Sequence, residues 1–443
     1  MTSETKRRLY TLLVTAVNVI VQVLLVGYVW WRYYNSMIRI AFWVKGHIYI
    51  MSLYAIVLLL FMHIYGATRV GYFKRWDAML SHLFATICAN VFFYAEIALL
   101  AYKFPTVKPL LAATVLAFVF ELVWLKLVLH WYRLLFPPHK VLLVYGREKE
   151  QEAREKLAER RDKFQVVKAV SADEIETVAL EDQVDIYDAV MLWDIPNAAR
   201  NRILKKCYGK RIRIYTMPSL SDLILSGAEM MHFFDTPLFL IRGEALSIDQ
   251  RIVKRAMDIV MAVLLLLVLW PFMLLTALAI YLYDRGPVLY KQTRCSLYGK
   301  EFSIYKFRSM ITDAEKDGVA RLAGKLDDRI TPVGKWIRKT RLDELPQLFN
   351  VLKGDMSFVG PRPERPELVR EYEKDLPEFD YRMHVKAGLT GYAQIYGKYN
   401  TVPYDKLKLD LYYVEHYSLW QDIQLLILTT KIVFSPDSTE GVK

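Results

Sequence analysis

Apolar residues dominate the first third of the chain in four long runs, at about residues 12–30, 48–64, 83–100 and 110–129. Each approaches the roughly 20 residues an α-helix needs to cross a bilayer. Trp30, Trp31, Tyr33, Tyr34, Trp124, Trp131 and Tyr132 lie at or near the run ends, where interfacial aromatics gather. The first run is long and lacks a small-residue cleavage site, which argues against a cleaved signal peptide. Pro137-Pro138 closes this block and the pattern changes. Lys-Val-Leu-Leu-Val-Tyr at 140–145 reads as a buried parallel strand. It opens an alternating series: a charged helix over 149–161, a strand at 165–169, a helix near 173–180, a strand at 188–193, a helix at 197–207 and a strand at 211–216. That alternation predicts a Rossmann-like α/β domain. A further apolar run at 257–283 contains Pro271 near its middle. Proline removes a backbone hydrogen bond and crowds the preceding turn, so a kink or break is expected there.

These patterns divide the 443 residues into a four-helix transmembrane domain (1–136), a Rossmann-like cytosolic domain (139–245) and a C-terminal domain (251–443) carrying its own membrane helix at about 254–283. With 54% hydrophobic residues and a mean hydropathy of +0.16, the chain is too apolar for an ordinary soluble protein of this length. Basic residues orient it. With the N-terminus inside, the inner segments hold Lys6, Arg7, Arg8, Arg69, Lys74, Arg75, Arg133 and Lys140, against Arg32, Arg39, Lys45, Lys103 and Lys108 outside. Everything after His139 is then cytosolic. The net charge of +12 has two open readings: solubility with the positive-inside excess, or partners such as anionic headgroups and phosphates. Nothing points to nucleic acid, since zinc-knuckle spacing and a basic heptad region are both absent. Cys88, Cys207 and Cys295 are too few and scattered for a disulfide framework or metal site. The turn after the first strand of the middle domain is Gly146-Arg147-Glu148-Lys149-Glu150. It has one glycine where a dinucleotide fingerprint needs three, and two carboxylates that would repel a pyrophosphate. A structural or regulatory role is the expectation there.

The chemistry concentrates further on. Asp343 and Glu344 follow the cationic cluster Arg338, Lys339 and Arg341, and precede Lys353-Gly354-Asp355-Met356-Ser357-Phe358-Val359-Gly360-Pro361-Arg362-Pro363. Phosphoryl chemistry uses such parts: a carboxylate nucleophile or metal ligand, an oxygen site for Mg²⁺, and fixed cations for phosphate oxygens. An isolated Asp-Glu before a proline is more often a solvated helix end, so the flanking residues decide. The segment 343–352 reads as a helix with Pro346 in its first turn, which places the dyad at a helix N-terminus.

From about 251 to 434 the chain resembles the catalytic core of the bacterial sugar transferases, the polyprenyl-phosphate phosphoglycosyl transferases. The resemblance rests on Lys254-Arg255 with Asp258, the apolar helix with its internal proline, Gly286-Pro287-Val288, and Tyr305-Lys306-Phe307-Arg308-Ser309-Met310. It continues through the dyad, the Gly-Pro-Arg-Pro turn, Lys386-Ala387-Gly388-Leu389-Thr390-Gly391-Tyr392-Ala393-Gln394 and Asp410-Leu411-Tyr412-Tyr413. Any one alone is weak; all in order are specific.

The resemblance implies an integral membrane enzyme that moves a sugar-1-phosphate from a UDP-sugar to undecaprenyl phosphate at the cytosolic face of the plasma membrane, releasing UMP. It implies Asp343 as nucleophile and Glu344 as a Mg²⁺ ligand. Lys306, Arg308, Arg341 and Arg362 become phosphate contacts, with Arg362 presented from a stiff backbone between two prolines. Gly391 to Gln394 becomes a nucleotide-side loop, with Tyr392 where many relatives carry tryptophan. Asp410 has two readings, a second metal-site carboxylate or a helix salt bridge. The 257–283 run becomes a re-entrant helix returning to the same side, with basic residues at both ends (Arg251, Lys254, Arg255; Arg285, Lys291, Arg294). An ordinary fifth span is the competing reading, and Trp270 stands where the family often has serine. Residues 406–434 mix apolar, aromatic and basic positions and read as a core-packing helix pair, a membrane-interface segment or both. Membrane lipid and a second copy of the chain are further expected partners. A non-enzymatic membrane scaffold or nucleotide sensor is the rival from another class.

Overall fold

The computed structural model describes residues 3–38, 42–146, 149–173, 186–312, 327, 329–398 and 401–433. It forms two compact units, Met1–Met217 and Pro218–Lys443.

The first unit opens with four long helices: α1 (Ser3–Val29), α2 (Val44–Ile64), α3 (Arg75–Ala101) and α4 (Lys108–Leu135). A π-turn, Trp30–Tyr34, carries α1 onward. All four are long and apolar enough to cross a membrane. Most of their leucines and valines face outward while polar side chains turn inward: Asn18, Gln22, Thr86, Asn90 and Glu121 are all buried. Such an inversion suits a lipid surround, where interhelical hydrogen bonds tie helices that gain nothing from burying leucine. Gln22 Nε2 donates to Glu121 Oε1 at 2.7 Å and Thr86 Oγ1 donates to it at 3.0 Å, joining α1, α3 and α4. Tyr54 on α2 donates to Asn90 on α3 at 2.9 Å.

The α/β part of this unit is a four-stranded, fully parallel sheet: β1 (His139–Tyr145), β2 (Phe164–Ser171), β3 (Ala189–Trp193) and β4 (Arg213–Thr216), in the order β2-β1-β3-β4. Alternate residues of β1 feed two cores. Val141 and Leu143 pack with Ala153 and Leu157 of α5 (Glu150–Ala158), while Leu142 and Val144 pack with Ile203 and Cys207 of α6 (Asn197–Gly209). Helices on both faces of a parallel sheet are the expected doubly wound arrangement. The helix anticipated near 173–180 falls outside the described residues, apart from its first position.

The second unit begins with α7 (Leu220–Ser226) and a hairpin of β5 (Glu229–Phe233) and β6 (Thr236–Leu240). Leu220, Leu223 and Leu246 pack into this unit's core, so residues 218–246 associate with it. The long helix α8 (Ile248–Asp284) is continuous through Pro271 and is the fifth helix apolar enough to cross a membrane. Its buried residues are Lys254, Asp258 and Ala262 at one end and Thr276 and Ile280 at the other, with none between.

The core beyond α8 is made of small sheets and short helices. β7 (Leu289–Cys295), which the pattern did not single out, pairs antiparallel with β8 (Glu301–Phe307). Next come α9 (Pro332–Lys339), α10 (Gln347–Lys353), β9 (Ser357–Val359), α11 (Pro366–Asp375), β10 (Gly388–Thr390) and α12 (Tyr392–Tyr396). The final pair, α13 (Pro403–Glu415) and α14 (Leu419–Val433), buries Leu411, Tyr413, Val414 and Leu425 in the main core, as the core-packing reading anticipates.

Candidate active site

The local fold around the dyad differs from the expected helix start. α9 ends at Thr340, and Arg341 then adopts the left-handed conformation (φ 58°, ψ 15°). Leu342–Glu344 form a 3-10 turn, and α10 begins only at Gln347, with Pro346 as its N-cap rather than in its first turn. Proline has no N–H to donate, so regular α-helical bonding resumes only past it. The dyad therefore sits on a tight turn between two helices.

Asn350 anchors this turn to the strand behind it. Its side chain accepts from Tyr305 N at 3.0 Å and donates to Ser303 O at 2.8 Å. Lys306 of β8 thereby faces the dyad, with Nζ 3.1 Å from Glu344 Oε1. Arg362 and Arg341 approach the same oxygen at 3.6 and 3.9 Å. Glu344 is thus ringed by three cations that hold its carboxyl well below the usual range, although burial opposes them. Asp343 differs. It is 8% exposed, and its Oδ1 is buried with no hydrogen-bond partner. Burial pushes its carboxyl up, the neighbouring Glu344 adds to this, and Lys306, Arg338 and Arg341 partly oppose it. Environments that drive two adjacent carboxyls in opposite directions prepare them for different roles.

The Gly-Pro-Arg-Pro turn is fixed by close backbone packing. A Cβ on Gly360 would collide with the Lys386 carbonyl oxygen, and one on Gly391 with the Gly360 carbonyl oxygen. Only glycine lets β9 and β10 come this close. The turn leaves the Arg362 side chain 42% exposed beside Glu344.

The structure gathers Lys306, Arg341, Asp343, Glu344 and Arg362 into one cluster. Two expected contacts are engaged elsewhere. Arg308 pairs with Asp284 at the end of α8, leaving its Nε and Nη1 buried and unpartnered. Asp410 is 1% exposed and gripped by Arg382 through Nε at 2.8 Å and Nη2 at 2.6 Å. Gln394 lies on α12, and its Oε1 is buried without a hydrogen-bond partner. Among the described residues no group of three or more His, Cys, Asp or Glu side chains could hold a metal ion.

Pattern reading missed the supports. Lys254 Nζ lies 2.5 Å from Asp422 Oδ2, and Tyr413 donates to Asp422 at 2.7 Å. Arg255 donates to the Val351 and Leu352 carbonyls at 2.6 Å each. Asp258 accepts from Ser357 Oγ and Phe358 N at 3.0 Å each. The signal was present: ionisable residues spaced along one face of an apolar helix must find partners. Arg382, lone in an irregular 3-10 segment, carried no such signal.

Residues 249–436 match the family model described as bacterial sugar transferase. Among curated relatives, a UDP-N-acetylgalactosamine-undecaprenyl-phosphate N-acetylgalactosaminephosphotransferase of Aeromonas hydrophila is 38% identical over 256 residues, covering 56% of this chain and 59% of its own length. An undecaprenyl-phosphate glucose phosphotransferase of Komagataeibacter xylinus is 38% identical over 268 residues, covering 58% of this chain and 50% of its own length. A UDP-glucose:undecaprenyl-phosphate glucose-1-phosphate transferase of Xanthomonas campestris is 37% identical over 225 residues, or 49% and 46% of the two lengths. The matches thus span about half the length of these relatives. The stretch from residue 249 to 436, which holds the dyad, its cations and the Gly-Pro-Arg-Pro turn, is thus where this chain is similar to the bacterial sugar transferases.

Proposed function

We propose that the chain is a phosphoglycosyl transferase moving a sugar-1-phosphate from a UDP-sugar to undecaprenyl phosphate, with UMP released. The observation that carries this reading is Asp343: a buried carboxylate with one unpartnered oxygen, beside a carboxylate already neutralised by Lys306, Arg341 and Arg362.

In the first step Asp343 attacks the β-phosphorus of the donor. The bond from that phosphorus to the bridging oxygen breaks, and UMP leaves with the electron pair. In the second step a phosphate oxygen of the lipid attacks the same phosphorus, and the bond to Asp343 breaks. The enzyme is regenerated with the sugar on a lipid diphosphate. Arg362 and Arg341 are exposed enough to meet phosphate oxygens as charge develops. If Mg²⁺ accompanies the donor, Glu344 is the carboxylate that would hold it, and the ion would supply neutralisation of the leaving nucleotide's charge beside Lys306, Arg341 and Arg362. Asp410, buried with its Oδ2 held by Arg382, is left out of that set.

We also read α8 as re-entrant, with the site at the cytoplasmic face. Support comes from its two ends, which both pack on the same unit. Lys254, Arg255 and Asp258 bind the core through Asp422, α10 and β9, while Ile280 packs with Phe307 and Ile337. Between them Leu264, Leu267, Val268, Trp270, Leu274 and Leu275 are all more than half exposed, as a membrane-inserted apex would be. Single cysteines at Asp249 and Lys291 should resist an impermeant thiol reagent added outside intact cells alike; labelling at Lys291 alone means a true span.

Activity is tested by giving purified membranes undecaprenyl phosphate and a panel of UDP-sugars. UMP release with at least one sugar, dependent on lipid for sustained turnover, is expected. No release with any of them, from folded protein, favours the scaffold reading.

A further inference from the structure

The backbone of the Gly-Pro-Arg-Pro turn is held by charged groups that have no place in the chemistry above. Arg382, 3% exposed, donates through Nη2 to the Arg362 carbonyl at 3.0 Å. The same guanidinium is held by Asp410, whose Oδ2 accepts from both Nε and Nη2, and its Nη1 lies 3.8 Å from Glu364 Oε1. Lys406 pairs with that Glu364 oxygen. Arg294 donates to the next carbonyl, of Pro363, at 3.2 Å, and Cys295 N donates to the Glu364 carbonyl at 3.0 Å. Three consecutive carbonyls, from Arg362 to Glu364, are therefore fixed from behind, while the Arg362 guanidinium in front stays 42% exposed and 3.6 Å from Glu344.

We propose that Arg382, clamped by Asp410, is a positioning residue that aims the Arg362 guanidinium at the donor phosphates. This rests on the phosphoglycosyl transferase reading. Asp410 is then a ligand of Arg382 and not of a metal ion. A buried arginine suits this role because its planar fork bonds a carboxylate and a carbonyl at once, which a point-charge lysine does not. A shift of about 1 Å in such a group is enough to cost roughly 10²-fold in rate.

The test is a double-mutant cycle on membrane-embedded full-length protein, read as initial UMP release relative to wild type, with thermal melting and Mg²⁺ dependence measured beside it. If wild type itself releases no UMP, the activity reading fails before this one is reached. Arg382→Lys is expected to lower kcat/KM for the UDP-sugar about 10–100-fold, as loss of an orienting partner does. In an Arg362→Ala background the same change should cost no more than about 2-fold, because the group it aims is already gone. Equal losses in both backgrounds would overturn the proposal. If Arg382→Lys does not fold, the near-isosteric Asp410→Asn gives the same cycle. Asp410→Asn should leave the Mg²⁺ concentration for half-maximal activity unchanged; an increase of about 10-fold or more would make Asp410 a metal ligand and refute the assignment.

Discussion

Two buried carboxylates, one in each unit, look alike until their neighbours are compared. Glu121 in the helical bundle is 2% exposed with Oε2 unpartnered; Asp343 is 8% exposed with Oδ1 unpartnered. Around Glu121 the hydrogen-bond donors are neutral: the Gln22 amide and the Thr86 hydroxyl, with His82 Nδ1 3.9 Å away. Around Asp343 the neighbours are Glu344 and the cations Lys306, Arg338 and Arg341. Burial and an orphaned oxygen therefore do not make a nucleophile. A carboxylate that must meet a phosphate needs positive charge placed beforehand to offset repulsion, and only Asp343 has it.

The same isosteric change should separate them most sharply. Asp343→Asn is expected to cut turnover by about 10⁴-fold or more, the scale of a lost nucleophile. Its melting temperature should stay level or rise, because a carboxyl whose folded pKa is raised weakens the fold once ionised. Retention of about a tenth of wild-type UMP release would end its nucleophilic role.

Removing the cation that reaches in from the Gly-Pro-Arg-Pro turn comes next. Arg362→Ala should lower kcat/KM by about 10²–10³-fold, in line with the loss of one preorganised charge-stabilising donor. A change under about 3-fold, on the same kinetic scale, would mean that Glu344 alone organises the site.

The raised Asp343 carboxyl predicts a pH effect. A nucleophilic Asp343 would work deprotonated, so activity should be lost as pH falls through a pKa above the ordinary aspartate range. Glu344→Gln removes the adjacent negative charge, so the acid limb of its residual activity should move to lower pH. Lys306→Met removes a cation and should move it up. Limbs that stay in place in both variants would assign the titration to another group.

The smallest effect belongs to the bundle. Glu121→Gln keeps an acceptor for Gln22 and Thr86, so UMP release should stay within about 3-fold of wild type. Glu121→Leu loses that acceptor and should destabilise the bundle by about 0.6–1.7 kcal/mol, as a membrane-buried hydrogen bond does. An Asp343-like collapse of activity in Glu121→Gln would break the distinction between the two carboxylates.

The two units were also unequally legible in the sequence. Long apolar runs and the strand–helix alternation announced the helices and parallel sheet of the first, because both follow from periodicity alone. In the second, the ordered motifs located Asp343, Glu344, Lys306, Arg341 and Arg362, which the structure brings together. What the pattern could not supply was the backbone at Arg341 and Pro346, where a left-handed residue and a missing N–H turn an expected helix into a 3-10 corner. Nor could it pair Arg308 with Asp284 or Asp410 with Arg382, because such partnerships form across the fold from positions far apart in sequence.

The central claim is the covalent role of Asp343, and trapping tests it most directly. Protein incubated with the preferred UDP-sugar and Mg²⁺ but no lipid acceptor should release one equivalent of UMP. The peptide containing Asp343 should gain the mass of the sugar phosphate, lose it when undecaprenyl phosphate is added, and show no gain in Asp343→Asn. UMP release that strictly requires lipid, with no mass gain on that peptide, would contradict the account.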